Sequence, residues 1–133
     1  MAPKALTGLL ERIRGPRAGA VGEDLACRHL VAQGFAILAR NFRCRSGEVD
    51  VVARDGGVTV FVEVKHRRNA NHGAGYESVT FGKRRRIVRA ARLFAAARGL
   101  GESPVRFDVI SIDEVDGRPQ VRHDRGAFDA EGC

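Results

Sequence analysis

A chain of 133 residues, 44% hydrophobic and 29% charged, has enough apolar material for one domain with a core and too little length for a second. A net charge of +7 and a pI near 10.3 favour an anionic partner. No apolar run approaches the roughly 20 residues that span a bilayer, and Met1-Ala2-Pro3-Lys4 has no signal-peptide pattern, so a soluble cytoplasmic protein without a membrane partner is expected.

Residues 1–17, with Pro3, Gly8, Gly15 and Pro16, read as a flexible basic arm with at most a short helix around Leu9 to Ile13. A helix over 18–33 presents Leu25, Ala26, Leu30 and Val31 as its apolar stripe and stops at Gly34. A first strand spans 35–43 and turns through Arg45-Ser46-Gly47 into a second at 48–54. A third covers 58–66, and the Asn- and Gly-rich stretch 69–76 reads as a flexible loop. A second helix over 79–98 turns Ile87, Ala91, Phe94 and Ala95 inward, and leaves Arg85, Arg89 and Arg92 on a separate stripe. A fourth strand, 105–113, alternates Phe107, Val109 and Ser111 against Asp108, Ile110 and Ile112. Residues 18–115 thus form the domain, and 116–133 an acidic tail in which 120–123 can add a short edge strand. Cys27, Cys44 and Cys133 are odd in number and lack C-x-x-C spacing, which indicates neither a disulfide framework nor a zinc ribbon. His29, His66, His72 and His123 show no metal-ligand spacing and read as surface residues.

The most informative stretch is Gly47-Glu48-Val49-Asp50, with Glu63-Val64-Lys65 beginning thirteen positions after Asp50. Between them Asp55-Gly56-Gly57-Val58, flanked by Val-rich alternation, signals a two-residue hairpin turn. With Asp55 opposite Val58, Asp50 faces Glu63, Glu48 faces Lys65 and Val52 faces Phe61, all on one face of the hairpin. The other face pairs Val49 with Val64, Val51 with Val62 and Ala53 with Val60, an apolar surface for a core. Opposed side chains have Cβ atoms roughly 4.5–5.5 Å apart, so Asp50 and Glu63 repel unless a proton or a cation lies between them. Mg²⁺ commonly takes one or two protein carboxylates and fills its shell with water and phosphate oxygens. Lys65, two residues beyond Glu63 on the same face, can hold an attacked phosphate or an attacking water as a compact charge. A surface hairpin with a weak Glu48–Lys65 ion pair is the alternative. It leaves the facing carboxylates unexplained, and on spacing alone both readings stand.

Charge distribution adds a second argument. Residues 113–133 hold six acids against three arginines, a net of −3, so residues 1–112 carry +10. Lys83-Arg84-Arg85-Arg86 continues to Arg89 and Arg92 with no acid between, and Lys65, Arg67 and Arg68 close the third strand. Such a run can merely solvate a helix face; beside a candidate metal site it reads as a phosphate-backbone contact.

The order helix, three strands, helix, strand, with Asp50 followed by Glu63-x-Lys65, resembles the PD-(D/E)XK nuclease superfamily. That resemblance implies an α/β fold with a restriction-endonuclease-like α-β-β-β-α-β core, a mixed central sheet flanked by helices. A closer match is the YraN-like family of predicted endonucleases, which is similar to archaeal Holliday junction resolvases. It is carried by Gly19-x-x-Gly22-Glu23-x-x-Ala26-x-x-x-Leu30, Gly34-Phe35, Asn41-Phe42-Arg43, Gly47-Glu48-Val49-Asp50, Phe61-Val62-Glu63-Val64-Lys65-x-Arg67 and Val79-x-x-x-Lys83. By position the resemblance makes Asp50 and Glu63 metal-binding carboxylates, Lys65 the catalytic lysine and Glu23 a further acid reaching the metal. An acid in the first turn of a helix is also stabilised by the macrodipole alone. Glu48, with Lys65 as its register partner, is read as orienting that lysine. Arg43, Arg67 and Lys83 match family positions and are candidates for phosphate contact, together with Arg68, Arg85, Arg89 and Arg92. Val49 stands where the superfamily's name has Pro, which changes no ligand.

Two functions follow. One is a Mg²⁺- or Mn²⁺-dependent endonuclease on DNA, with branched or junction DNA as a candidate substrate. The other is a nucleic-acid-binding module of the same fold with little or no cleavage. Seven Phe and one Tyr are few for a stacking-based single-strand binder. A homodimer is compatible with the sequence, and no protein partner is indicated.

Overall fold

The computed structural model describes residues 20–67 and 79–131. They form helix α1 (Ala20–Ala32), strands β1 (Ala36–Cys44), β2 (Gly47–Asp55) and β3 (Val58–Arg67), helix α2 (Phe81–Ala97), and strands β4 (Val105–Val115) and β5 (Arg118–Phe128). The first six of these match expectation to within one or two residues at either end. The basic arm at 1–17, the loop at 69–76 and Arg68 lie outside the described residues.

The sheet runs β1-β2-β3-β4-β5 in spatial order. Neighbours are antiparallel except β3 and β4, which are parallel. A parallel pair needs a long crossover, and α2 supplies it. The fold is therefore α/β, with the α-β-β-β-α-β order of a restriction-endonuclease-like core and one added edge strand.

The helices cover opposite faces of the sheet. Ala26 and Leu30 of α1 pack on Val51, Ala53, Val60, Val62, Ile110 and Ile112. On the other face Ile87, Val88, Ala91 and Phe94 of α2 pack on Val49, Val52, Phe61, Phe107 and Val109. Phe94 meets Phe42 and Phe61 edge-on at 5.2 and 5.8 Å between ring centroids, pairings worth about 0.5–1.5 kcal/mol beyond the area they bury. Two expectations are corrected here. Val31 is exposed, because the inward seam of α1 is the narrower row Gly22, Ala26 and Leu30, with Glu23 buried beside it. Val49 packs with Val52, not with Val51, so the strict alternation of β2 slips below Val51. The ladder to β3 ends at Val51–Val62, while β1 stays paired with β2 through Arg40–Val51 and Phe42–Val49 and carries Asn41 between them in the left-handed region at φ 55°.

Both helices sit unusually close to the sheet, each at a glycine. A Cβ on Gly22 would lie 2.8 Å from His66 Cβ, and one on Gly47 would lie 1.8 Å from the Arg86 carbonyl oxygen. Gly47 therefore lets the backbone of α2 rest on the start of β2, immediately before Glu48 and Asp50.

Strand β5 is longer than the expected 120–123, pairing with β4 from Val115–Arg118 to Phe107–Phe128. Its mostly exposed side chains give little alternation to read, and the buried carboxylate of Asp108 holds it. Asp108 accepts hydrogen bonds from Arg106 Nε at 2.8 Å, the Gly126 amide at 3.0 Å and His123 Nε2 at 2.8 Å. Burial alone would raise its pKa; the donors from His123, Arg106 and Gly126 outweigh that and bring it down to about 2.

Replacing Gly47 by Ala sets a methyl group against backbone that cannot rotate away. The variant is expected to lose about 1–3 kcal/mol or more of stability, read as a lower urea midpoint, and an unchanged midpoint would refute the close seat of α2.

Candidate active site

The site forms where β2 and β3 part. The last paired residues are Val51 and Val62; beyond them Asp50 Oδ2 accepts the Val64 amide at 2.8 Å, so a side chain replaces the missing ladder partner. Asp50 is also hydrogen-bonded to the carboxyl of Glu63, which is buried. The expected juxtaposition of Asp50 and Glu63 is present, though as a contact at a fork and not as a ladder pair. Burial first, then the charge of Glu63, push the Asp50 carboxyl up to about 8; the charge of Glu23 adds to the rise and the Val64 amide opposes it. With no added cation, the pair therefore keeps a proton at neutral pH. The Lys83 ammonium, from the first turn of α2, lies 2.7 Å from Glu63 Oε2.

Glu23 reaches this region because α1 sits down at Gly22. Its side chain is buried, accepts a hydrogen bond from Asn41 Nδ2 at 2.8 Å and lies 3.7 Å from Arg40 Nη2. Arg40 is shared with Asp24 at 2.8 Å. The residue that presents this amide, Asn41, has a left-handed backbone, which asparagine tolerates better than most residues. Among the described residues no group of three or more His, Cys, Asp or Glu side chains is arranged to hold a metal ion. Asp50 and Glu63 are thus the pair able to share a cation, with Glu23 contributing charge from beside them. The donor set of two hard oxygens in contact, one kept protonated by the other, suits a divalent ion that retains most of its water.

The remaining predicted residues are dispersed around this pair. Glu48 lies 3.7 Å from Arg43, its register partner on β1, and both are half-exposed. Lys65 is half-buried, and the unbroken β3–β4 ladder keeps it on the face of Phe61 and Glu63. Arg67 is half-buried at the end of β3. Arg85, Arg89 and Arg92 are exposed on α2 as expected, Arg85 with its guanidinium over the Phe81 ring at 5.8 Å. Arg84 turns back to the Val79 carbonyl at 2.8 Å and is not part of that stripe.

The sequence reading passed over Arg40 and the contact role of Asn41; an asparagine inside a strand is the signal that could have found the latter. It also misplaced three histidines. His123 bridges Asp108 to His29 of α1, at 2.8 and 3.1 Å, and His66 lies 2.9 Å from Glu114. Each partner is distant in sequence, so no local spacing could have revealed it.

Fold and site together define an α/β domain with a carboxyl pair, Asp50 and the buried Glu63, at a strand fork and lysines on β3 and α2. The chain belongs to the uncharacterised protein family UPF0102, whose family model matches residues 22–112. A UPF0102 protein of Symbiobacterium thermophilum is 48% identical over 115 residues, covering 86% of this chain and 98% of the relative. One from a Parafrankia species is 49% identical over 113 residues, covering 84% and 96%. One from Pseudomonas paraeruginosa is 40% identical over 125 residues, covering 92% and 100%. The matched span opens at Gly22 and Glu23 and closes within β4, so it contains the whole site and leaves out β5.

Because the folded chain holds the Asp50 proton up to about 8 while the free side chain releases it near 3.8, the folded state binds the extra proton between these values. In metal-free buffer, stability should therefore fall as pH rises across that window. Asp50→Asn should flatten the slope, measured by denaturant midpoints; an equal slope in the variant would assign it to other groups.

Proposed function

We propose that this chain is a Mg²⁺- or Mn²⁺-dependent endonuclease acting on DNA. In this reading it is a member of the PD-(D/E)XK superfamily, similar to archaeal Holliday junction resolvases, with branched DNA as the candidate substrate. The observation that carries the reading is the contact of the half-buried Asp50 with the buried Glu63, two carboxyls held together with the Asp50 pKa raised. A fold gains nothing from such a contact unless a cation or a proton is to be held there.

Asp50 and Glu63 would hold the metal, which when bound supplies Lewis acidity toward a phosphate and activates water. The Val64 amide fixes the Asp50 carboxylate, and Asn41 fixes Glu23 beside it. Lys65 donates to the phosphoryl oxygens as negative charge builds on them, a role in which a lost donor typically costs about 10²–10³ in rate. Arg43, Arg67 and Lys83 contact flanking phosphates. Arg85, Arg89 and Arg92 extend the cationic track along α2, attracting the backbone without reading bases.

The alternative, a DNA-binding module with little cleavage, draws on one observation: Lys83 already neutralises Glu63, and no third ligand joins the pair among the described residues. The two readings separate on carboxylate variants. Asp50→Asn and Glu63→Gln are each expected to abolish Mn²⁺-dependent cleavage of branched, single-stranded and duplex substrates while leaving DNA binding in metal-free buffer intact, since the basic groups that meet the backbone are untouched. Wild-type protein that binds DNA but cuts none of the three would leave the binding module standing.

Phosphate contacts release counterions, with a slope of about −0.9 in log K against log salt per contact on duplex DNA. Replacing Arg85, Arg89 and Arg92 together by Ala should reduce the magnitude of that slope by up to about 3. An unchanged slope in a filter-binding or anisotropy titration would assign the stripe to solvation only.

A further inference from the structure

Lys83 is the third residue of α2, and its surroundings do not favour a cation. The first turn of the helix contains no acid, and Arg84 and Arg85 follow directly. The positive end of the helix dipole disfavours an ammonium at this position, and the Thr80 hydroxyl accepts the Lys83 backbone amide at 3.2 Å, so the local helix offers the side chain nothing. What holds the ammonium lies across on β2 and β3. Its Nζ is 2.7 Å from Glu63 Oε2, and the charges of Asp50 and Glu48 act on it in the same direction. The two partners are unequal. The Lys83 side chain is 54% exposed and Glu63 only 6%, so the lysine can return to water while the carboxylate cannot.

We infer that Lys83 is a placeholder cation, occupying the Asp50–Glu63 pair in the metal-free chain, displaced when a divalent ion binds there, and taken up in turn by a substrate phosphate. The inference rests on the metal-site reading above. Two carboxyls in contact, one of them buried, need positive charge, and an ammonium on Oε2 and a divalent ion on the same oxygen repel each other, so occupancy by one opposes the other. A phosphate that draws Lys83 away removes the competitor. DNA and the metal then bind cooperatively, and by linkage each tightens the other by the same factor. The site is loaded mainly when substrate is present.

The test is a calorimetric Mn²⁺ titration of wild type, Lys83→Met and Lys83→Arg, each alone and with a short DNA duplex. In the absence of DNA, Lys83→Met should bind Mn²⁺ about tenfold tighter than wild type, and Lys83→Arg should stay close to wild type because a cation still competes. The duplex should tighten Mn²⁺ binding to wild type by about 5-fold or more, within the usual range of coupling between sites, and this gain should largely vanish in Lys83→Met. Wild type that binds Mn²⁺, with equal or weaker binding by Lys83→Met, overturns the placeholder role and leaves the metal site intact. Binding by Lys83→Met where wild type shows none supports it in its strongest form. No Mn²⁺ binding by any of the three proteins overturns the metal site and the placeholder together.

Discussion

Two carboxyl groups, Asp50 and the buried Glu63, are held in contact, and much of the surrounding structure is arranged around that conflict. The β2–β3 ladder stops one pair short of them, and the Val64 amide released by the break is given to Asp50. The Lys83 ammonium comes from the other side of the fork to meet Glu63. A proton on Asp50 and a lysine on Glu63 are the chain's own answers to the repulsion. In the proposed metal-bound state a hard divalent ion would replace both.

The distance between helices and sheet decides whether that centre can be assembled. Glu23 and Lys83 come from different helices on opposite faces, and each reaches the fork only because its helix lies close to the strands. Gly22 permits the approach of α1 to His66, and Gly47 permits that of α2 at Arg86. These glycines flank the acidic motif residues in sequence, Gly22 before Glu23 and Gly47 before Glu48. Their contribution is the space a Cβ would have filled, which sets where neighbouring side chains can arrive.

The far edge of the sheet uses charge differently. Asp108 is as buried as any residue in the chain, yet its carboxyl lies below the ordinary range because Arg106, His123 and the Gly126 amide all donate to it. Satisfied on every side, it fastens β5 to β4 and, through His123 and His29, to α1. The contrast with the Asp50–Glu63 pair is between an acid supplied with donors on every side and an acid set against a second acid.

Local pattern determined the elements, since period-two alternation, the Gly56-Gly57 turn and the 3.6-residue stripe of α2 each report on neighbours a few residues apart. From that turn the hairpin register followed as far as Val51 and Val62, because a short turn fixes every cross-strand pair up to the first irregularity; Asp50 and Glu63, one step further, still meet, but at the fork. Beyond that irregularity the sequence lost its hold. The slip that turns Val49 toward α2 appears only where the β2–β3 ladder ends, and the length of β5 depends on Asp108, a buried acid that only the assembled sheet supplies with donors. The same is true of Lys83. Its position in a basic run was legible, but its partner lies twenty residues away across a helical crossover, and only the packing of α2 against the fork decides that this lysine, and not the arginines beside it, meets Glu63.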